Sequence, residues 1–317
     1  MTSREHPTQD SCTSIEEAAN YLQLPSETID FSPSFPFLLP RHMLEKMEKG
    51  NIDDPLCRQF IPQKSNTRSS FSKDPLEEGC YLKQNCPRLL QKYKKRALLL
   101  CNDSCAIHCR FCFRQHSHKK APPSYEHELS IIEKDPSIEE AILSGGDPLL
   151  LSDAKLLHLL QAIDAIPHIR RIRIHTRLPV ALPKRITPQL IAQLLTIQKP
   201  IFMVLHTNHI NEFDETTWHH LSMLQNAGIP LLTQSVLLKG VNDTTEPLTD
   251  LFTALIDHKI LPYYIHALDH VLGAEQFYVD DTTGVELITN LRNSLSGFAV
   301  PRFVREESGK KAKTILK

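Results

Sequence analysis

The stretch Cys105-Ala-Ile-His-Cys109-Arg-Phe-Cys112 places three cysteines at x3 and x2 spacing just after the apolar run 97–100. Three thiolates that converge from one short loop suit a soft metal centre. A [4Fe–4S] cluster normally takes four cysteine ligands, so a loop with three leaves one iron open to a substrate or cofactor. The spacing, with Phe111 just before the last cysteine, therefore predicts an iron–sulfur cluster with an open iron.

Zinc and disulfide chemistry are the alternatives for these cysteines. His108, His116 and His118 are close enough in sequence to supply a fourth zinc ligand, and Cys101 adds another thiol. Structural zinc sites commonly pair two C-x2-C knuckles, and the sequence has no second knuckle. No secretory signal opens the chain, so disulfides are not expected. The pattern favours the cluster.

Composition limits the class of protein. The chain has 317 residues, of which 41% are hydrophobic, and this suits one large domain or one domain with an extension. A net charge of −1 gives no electrostatic footprint for nucleic acid. No apolar run approaches the roughly 20 residues that span a bilayer. Eight cysteines without an export signal fit a reducing compartment, so we expect a cytoplasmic protein that binds neither nucleic acid nor membrane.

From residue 96 onward, strand-like apolar runs alternate with amphipathic helical stretches. The predicted strands are 97–101, 140–144, 171–176, 201–206, 230–236 and 263–267. The predicted helices are 127–135, 152–165, 188–197, 214–227 and 246–258. Such alternation predicts a parallel sheet covered by helices, and six units are too few to close an eight-unit barrel. We expect an α/β fold with an open, partial six-unit β/α barrel at 91–300, a helix-and-loop extension at 1–90 and a tail at 301–317.

Polar residues end each predicted strand, and the carboxyl ends of parallel strands meet at one edge, where the active site is expected. Ser144-Gly145-Gly146-Asp147 ends the second strand, and its glycines would let backbone approach a ligand closely. Gln234 and Ser235 end the fifth strand, and Asp269 follows the sixth. A plain tight turn at the glycines, and a backbone contact for Gln234, are the alternatives.

Three basic groups stay open on residue chemistry alone. Arg114 either clamps a carboxylate bidentately or belongs to a surface stretch with the basic residues of 116–120. Lys92, Tyr93 and Arg96 either hold a phosphate and a ring or end a solvated helix. The basic tail would ordinarily be disordered, and a lysine that forms a covalent bond to a carbonyl needs a fixed place.

Taken together, the motifs resemble the lysine 2,3-aminomutase family of radical S-adenosylmethionine enzymes over about residues 50–317. The motifs are Asp54-Pro55-Leu56, Tyr93-x-x-Arg96, the cysteine loop with Arg114, Leu143-Ser144-Gly145-Gly146-Asp147-Pro148-Leu149, Leu182-Pro183-x-Arg185-Ile186-Thr187, His206-x-Asn208-His209, Gln234-Ser235-Val236-Leu237-Leu238-Lys239-Gly240-Val241-Asn242-Asp243, Pro262-Tyr263-Tyr264 and Ala299-Val300-Pro301. The short ends resemble the compact branch that makes β-lysine for the modification of elongation factor P.

The resemblance implies three cofactors: a [4Fe–4S] cluster on Cys105, Cys109 and Cys112, S-adenosylmethionine, and pyridoxal 5'-phosphate. The family's pyridoxal lysine lies twelve positions after the proline of its Val-Pro motif, which here is Lys313, with Lys311 as a weaker rival. This implies that the tail folds back over the barrel mouth. No structural zinc is expected, because Thr244 takes the place of a zinc cysteine found in longer members.

The resemblance also implies roles for the polar groups. Lys92, Tyr93 and Arg96 would hold the phosphate and ring of the pyridoxal cofactor. Ser144, Gly145, Gly146 and Asp147 would contact the methionyl amine of S-adenosylmethionine, and Gln234 and Ser235 its nucleoside. Arg114 would bind the substrate carboxylate, while Asp269 and Glu306 would bind the side-chain ammonium of lysine. The family has aspartate where this chain has Glu306.

The implied activity is the conversion of L-lysine to β-lysine by an isomerase. A reductant such as flavodoxin or ferredoxin, a functional link to elongation factor P and its ligase, and a homo-oligomer are implied with it. An aminomutase for arginine or glutamate is one alternative. A binding protein stabilised by zinc or a cluster, without catalysis, is another.

Overall fold

A computed structural model describes residues 10–33, 35–64, 70–83, 86–117 and 124–317. Its strands are β1 (Ser11–Cys12), β2 (Leu39–Pro40), β3 (Leu82–Lys83), β4 (Cys86–Leu90), β5 (Arg96–Asn102), β6 (Glu140–Gly145), β7 (Arg171–Thr176), β8 (Ile201–His206), β9 (Leu231–Val236), β10 (Leu261–His266), β11 (Arg302–Arg305) and β12 (Thr314–Ile315). Its helices are α1 (Ile15–Tyr21), α2 (Arg41–Leu44), α3 (Pro55–Phe60), α4 (Glu126–Lys134), α5 (Asp153–Asp164), α6 (Leu178–Ala181), α7 (Pro188–Leu194), α8 (Glu215–Asn226), α9 (Thr245–Asp257) and α10 (Asp281–Ser294).

One sheet organises the chain from β3 to β12. The seven strands from β5 to β11 pair in parallel and in chain order. At one end β4 pairs antiparallel with β5 and β3 with β4, and at the other β12 pairs antiparallel with β11. Within the described residues, β3 and β12 remain the two edges, so the sheet does not close. The predicted open, partial barrel is confirmed.

Local sequence signals explain why the helices form where predicted. The Ser152 side chain caps α5 by accepting a bond from the Lys155 backbone N–H, and Thr187 caps α7 in the same way, with proline in the first turn. The α5 residues Leu156, Leu159, Leu160 and Ile163 are buried, and their spacing is that of one helical face. This face packs into the main hydrophobic core with the strands of the sheet.

All six predicted strands are confirmed as β5 to β10, and all five predicted helices are present within a few residues. Among the elements that were not predicted, helix α10, the seventh parallel strand β11 and the antiparallel strand β4 extend the barrel. The solvated-helix interpretation of 91–96 is wrong, because 91–95 form a turn that joins β4 to β5 and Arg96 begins β5.

The residues before β3 form a hydrophobic cluster of their own, which includes Leu22, Leu44 and Phe60. Ile107 of the cysteine loop and Ala181 of α6 belong to the same cluster. The extension therefore packs against the cysteine loop from outside the barrel. The division of the chain at residues 90 and 300 stays a prediction, and β3 and β4, from the predicted extension, join the barrel sheet. No helix in the described ranges is long and apolar enough to cross a membrane.

Candidate active site

A cavity of about 530 Å³ opens at the carboxyl ends of the parallel strands. Every residue that the sequence predicted for a cofactor, a substrate or a metal lines this cavity. These residues are Lys92, Tyr93, Arg96, Cys105, Cys109, Cys112, Arg114, Ser144, Gly145, Gly146, Asp147, Gln234, Ser235, Asp269, Glu306 and Lys313. Side chains from both ends of the sheet and from the tail therefore share one cavity, as a common site requires. Their individual roles stay predictions.

The three cysteines of the loop carry free thiols that face the cavity. Burial raises the pKa of each thiol, and the charges of its neighbouring cysteines add to the effect at Cys105. The loop is fixed by backbone bonds from outside the barrel, at 3.0 Å from His108 N to Leu38 O and at 3.0 Å from Arg110 N to Gln59 O. Three soft donors on one cavity wall fit an iron–sulfur cluster.

The histidines offered as zinc ligands are placed away from these sulfurs. The His108 ring contacts the Pro36 carbonyl at 2.6 Å and the His116 ring contacts the Leu272 carbonyl at 2.9 Å. Neither ring lines the cavity. His118, Lys119 and Lys120 lie outside the described residues. The described geometry therefore offers the cysteines no fourth ligand from these two histidines.

The glycines after β6 bring this strand end against the cysteine loop. A Cβ on Gly146 would lie 2.0 Å from the Ser104 carbonyl oxygen, and one on Gly145 would lie 2.5 Å from the Asn102 carbonyl oxygen. Gly145 also has a φ of +118°, which disfavours any side chain. The close approach that requires glycine here is therefore to the chain's own backbone, whereas the sequence predicted an approach to a ligand.

Asp147 is a buried carboxylate whose two oxygens are both used inside the chain. One oxygen accepts from Leu149 N at 3.0 Å and from the Thr176 hydroxyl at 2.7 Å. The other accepts from Arg177 N at 2.8 Å and Leu178 N at 3.0 Å. Burial raises the pKa of this carboxyl and the four bonds oppose the rise. Any contact of Asp147 with an ammonium group would compete with these bonds.

The Arg114 side chain is only 16% exposed and lines the cavity, which excludes the surface-cation interpretation. Its guanidinium forms a bidentate pair with Glu78, at 2.9 Å from Nε and 2.6 Å from Nη2. Its Nη1 donates to the Gly145 carbonyl at 3.3 Å. Glu78 was not predicted, and its place in a short turn before β3 gives no sequence signal. Glu78 occupies the two N–H donors of the guanidinium that a substrate carboxylate would need.

At the tail, three side chains converge on the Glu306 carboxylate. Lys313 donates to it at 2.5 Å and Tyr93 at 2.6 Å, and Lys92 donates to it as well. Burial opposes ionisation, but these partners, led by Lys313, lower the pKa of Glu306 below its usual range. The Arg96 guanidinium lies 4.5 Å from the centre of the Tyr93 ring, and its buried Nε has no partner among the described residues. This group of cations around one anion fits an anionic cofactor.

The tail folds back over the cavity mouth through the β11–β12 pair, which brings Lys313 to the site. Lys311, the rival lysine, is exposed and does not line the cavity. The geometry therefore favours Lys313 as the reactive amine.

Asp269 and three histidines also line the cavity. Burial raises the pKa of Asp269 to about 7, with Lys313 opposing and Glu306 adding to the rise. Burial lowers the pKa of His175, His206 and His266, so these rings are neutral. Each histidine ends a predicted strand, which was the available signal, but none was assigned a role. The buried Ser235 hydroxyl and the Nε2 atoms of His175 and His266 have no partner within the described structure, so they can receive a polar ligand.

Comparison with known proteins gives relatives over most of the chain. The L-lysine 2,3-aminomutase of Escherichia coli is 42% identical over 288 residues, which cover 89% of this chain and 83% of the relative. That of Haemophilus influenzae is 39% identical, covering 93% and 89%, and that of Clostridium subterminale is 34% identical, covering 95% and 74%. A radical SAM methyltransferase from Sphaerobacter thermophilus shares 16% identity over 68% of each chain, at a TM-score of 0.49, too low to bear on function. No family model matches the chain.

Proposed function

The chain belongs to the lysine 2,3-aminomutase family, and we propose that it is the isomerase that converts L-lysine to β-lysine. One observation carries the proposal beyond similarity. All sixteen residues predicted for the cluster, the two organic cofactors and the substrate line one cavity, although they lie as far apart in sequence as Lys92 and Lys313.

The cofactors of the proposed reaction are a [4Fe–4S] cluster, S-adenosylmethionine and pyridoxal 5'-phosphate. When bound, the cluster and S-adenosylmethionine supply radical chemistry, and pyridoxal phosphate carries the migrating amino group. Cys105, Cys109 and Cys112 hold the cluster, and Lys313 holds the pyridoxal group. Lys92, Tyr93 and Arg96 face Lys313 across Glu306, where a phosphate and a ring would be bound.

The charge of the cavity favours lysine over the alternative substrates. Arg114 offers two parallel N–H donors to an α-carboxylate once Glu78 releases them. Asp269 and Glu306 both line the cavity, so the site holds two acids for a cationic side chain. Two acids would repel the side-chain carboxylate of glutamate. Arginine remains a competitor on charge alone, and the assay below separates it from lysine.

We extend the proposal to partners on the resemblance to the compact branch of the family. A low-potential protein such as flavodoxin or ferredoxin delivers the electron, and β-lysine serves elongation factor P through its ligase. A homo-oligomer and a cytoplasmic location belong to the same proposal. Incubating the enzyme, the ligase and elongation factor P with labelled lysine tests the link, because label must reach the factor only when the aminomutase is active.

The central test is an anaerobic assay of the full chain. The protein is reconstituted with iron, sulfide and pyridoxal 5'-phosphate, and S-adenosylmethionine, dithionite and one amino acid are added. We expect β-lysine from lysine by mass spectrometry, and no product from glutamate or arginine. Cleavage of S-adenosylmethionine without β-lysine would overturn the substrate. Zinc in place of iron, with no cleavage, would overturn the enzyme and leave the binding-protein alternative.

A further inference from the structure

A buried arginine that was not among the predicted site residues donates a hydrogen bond to one of the three cysteines. Arg177 follows β7, its side chain is only 6% exposed, and its Nη1 lies 3.4 Å from Cys109 Sγ. No sequence motif singled out this residue beyond its place at a strand end. A guanidinium is charged at every ordinary pH, so the contact brings a permanent positive donor to a sulfur.

Two acceptors hold the guanidinium from its other side. Arg177 Nη2 donates to Glu212 Oε2 at 2.8 Å and to Gln59 Oε1 at 3.0 Å. Its Cζ lies 4.9 Å from the centre of the Phe60 ring, so an aromatic face covers it as well. The guanidinium therefore has one orientation, with Nη1 toward the sulfur.

The acceptors are themselves fixed, and all three of the following residues are fully buried. Glu212 Oε1 accepts from Asn208 N at 2.8 Å, and Asn208 Nδ2 donates to Gln59 Oε1 at 2.9 Å. Turning Arg177 away would leave the Glu212 carboxylate buried without its cation, which is a costly change. Gln59 belongs to α3 of the N-terminal extension, so the extension takes part in aiming the arginine at the cluster loop.

A simple structural ion pair is the alternative role for Arg177, but that role explains only Nη2, because Nη1 lies 3.4 Å from Cys109 Sγ and 3.5 Å from His206 Nδ1. The donor at Nη1 has a different consequence once the sulfur ligates iron. Hydrogen bonds and positive charge at a ligating sulfur stabilise the more negative, reduced cluster. We propose that Arg177 is a positioning residue that raises the reduction potential of the cluster through Cys109, and that Gln59 keeps it aimed. This inference rests on the cluster assignment of the proposed function.

The test is the midpoint potential of the reconstituted full-length protein, followed by the electron paramagnetic resonance signal of the reduced cluster. Arg177→Lys keeps a charge for Glu212 but cannot reach both Glu212 and Cys109. We expect the ratio of reduced to oxidised cluster at a fixed potential to fall about tenfold, a shift of about 59 mV to more negative potential for one electron. A structural role alone would leave this midpoint unchanged.

Arg185→Lys is the matched control. The Arg185 side chain is 9% exposed and is also paired, with Asp153 at 2.7 Å and the Leu149 carbonyl at 2.8 Å, but it does not line the cavity. Its variant is expected to titrate as the unmodified protein does. An Arg177→Lys protein with full iron content and an unmoved midpoint would overturn the inference.

Gln59→Leu is the second variant, and it removes one anchor of Arg177 without touching a cysteine. It is expected to shift the midpoint in the same direction by a smaller amount. If Arg177→Lys takes up no iron, Gln59→Leu decides, and an unmoved midpoint overturns the inference. Failure of the proposed function and failure of the inference about Arg177 give different results. An unmodified chain that forms no cluster contradicts the proposed function, whereas normal β-lysine formation with unmoved midpoints contradicts only the role of Arg177.

Discussion

The cysteine wall of the cavity, formed by the cysteine loop with Gly146 and Asp147, and the tail wall, formed around Glu306, are held by different kinds of contact. On the cysteine wall, Gly146 packs against backbone, and the Asp147 carboxylate accepts hydrogen bonds from backbone N–H groups just after β7. On the tail wall, Glu306 is held by side chains far away in sequence, among them Lys92. The contacts that hold the cysteine wall therefore need no cofactor. The tail wall consists of ion pairs that an anionic cofactor and a charged substrate can exchange.

This difference separates two kinds of damage. A change on the cysteine wall is expected to reduce stability and iron content, because buried backbone and carboxylate contacts have no substitute. A change on the tail wall is expected to reduce cofactor binding or turnover while the fold persists, since Glu306 keeps other partners when one of them is removed. Four experiments test this difference between the walls.

The largest effect is expected from Lys313→Ala. Activity should fall by about 10³-fold or more, because the covalent attachment of pyridoxal is lost, while iron content and thermal stability stay near those of the unmodified chain. Lys311→Ala is the control, and it should keep its activity because Lys311 is exposed outside the cavity. Activity is followed as β-lysine, and attachment by the visible absorbance of pyridoxal. Loss of activity in the Lys311 variant alone would reverse the assignment.

A pair of glycine substitutions compares the walls directly. Gly146→Ala should cost about 3 kcal/mol of unfolding free energy, since backbone blocks the new methyl group. Gly309→Ala should cost about 1 kcal/mol, because its φ of +76° is strained for alanine but no described atom lies within 4 Å of the added Cβ. Urea unfolding measures both, and iron content should fall only for Gly146→Ala. Equal costs would mean that the walls do not differ in packing.

The sequence predicted the architecture where signals are local. Period, caps and strand-end polarity located β5 to β10 and the cavity edge. It missed β11, which is defined by its pairing with β10, and it also missed α10, although Asp280 caps this helix locally. It could not show that Arg114 is paired with Glu78, because residues 36 positions apart in a turn and a loop meet only through the fold. The resemblance, not the residues, led to Lys313, since a basic tail alone predicts disorder.

A third test concerns the ion pair between Arg114, just after the cysteine loop, and Glu78, in the turn before β3. Arg114→Lys should lower kcat/KM for lysine about 10²-fold, because a lysine cannot form two parallel bonds, each worth about 1.5–3 kcal/mol to a charged group. Glu78→Gln should lower KM several-fold, since it weakens the internal competitor for the guanidinium. Steady-state kinetics measure both. A higher KM in Glu78→Gln would show that Glu78 supports Arg114 instead of competing for it.

The smallest effect is a pH dependence at Asp269, whose pKa burial raises to about 7. This carboxyl is neutral below that value and charged above it, so kcat/KM for a cationic substrate should rise about tenfold from pH 6 to pH 8. Asp269→Asn should remove this rise, and Asp269→Glu should keep one.

Stability supplies an independent check, with the opposite sign. A carboxyl whose pKa is higher in the folded than in the unfolded chain stabilises the fold at low pH, and this contribution is lost as pH rises through about 7. Asp269→Asn should therefore gain stability relative to the unmodified chain as pH increases from 5 to 8, measured by urea unfolding without cofactors. An unchanged difference across that range would show that Asp269 is already ionised, and would place it with the preformed cysteine wall instead of the exchangeable tail wall.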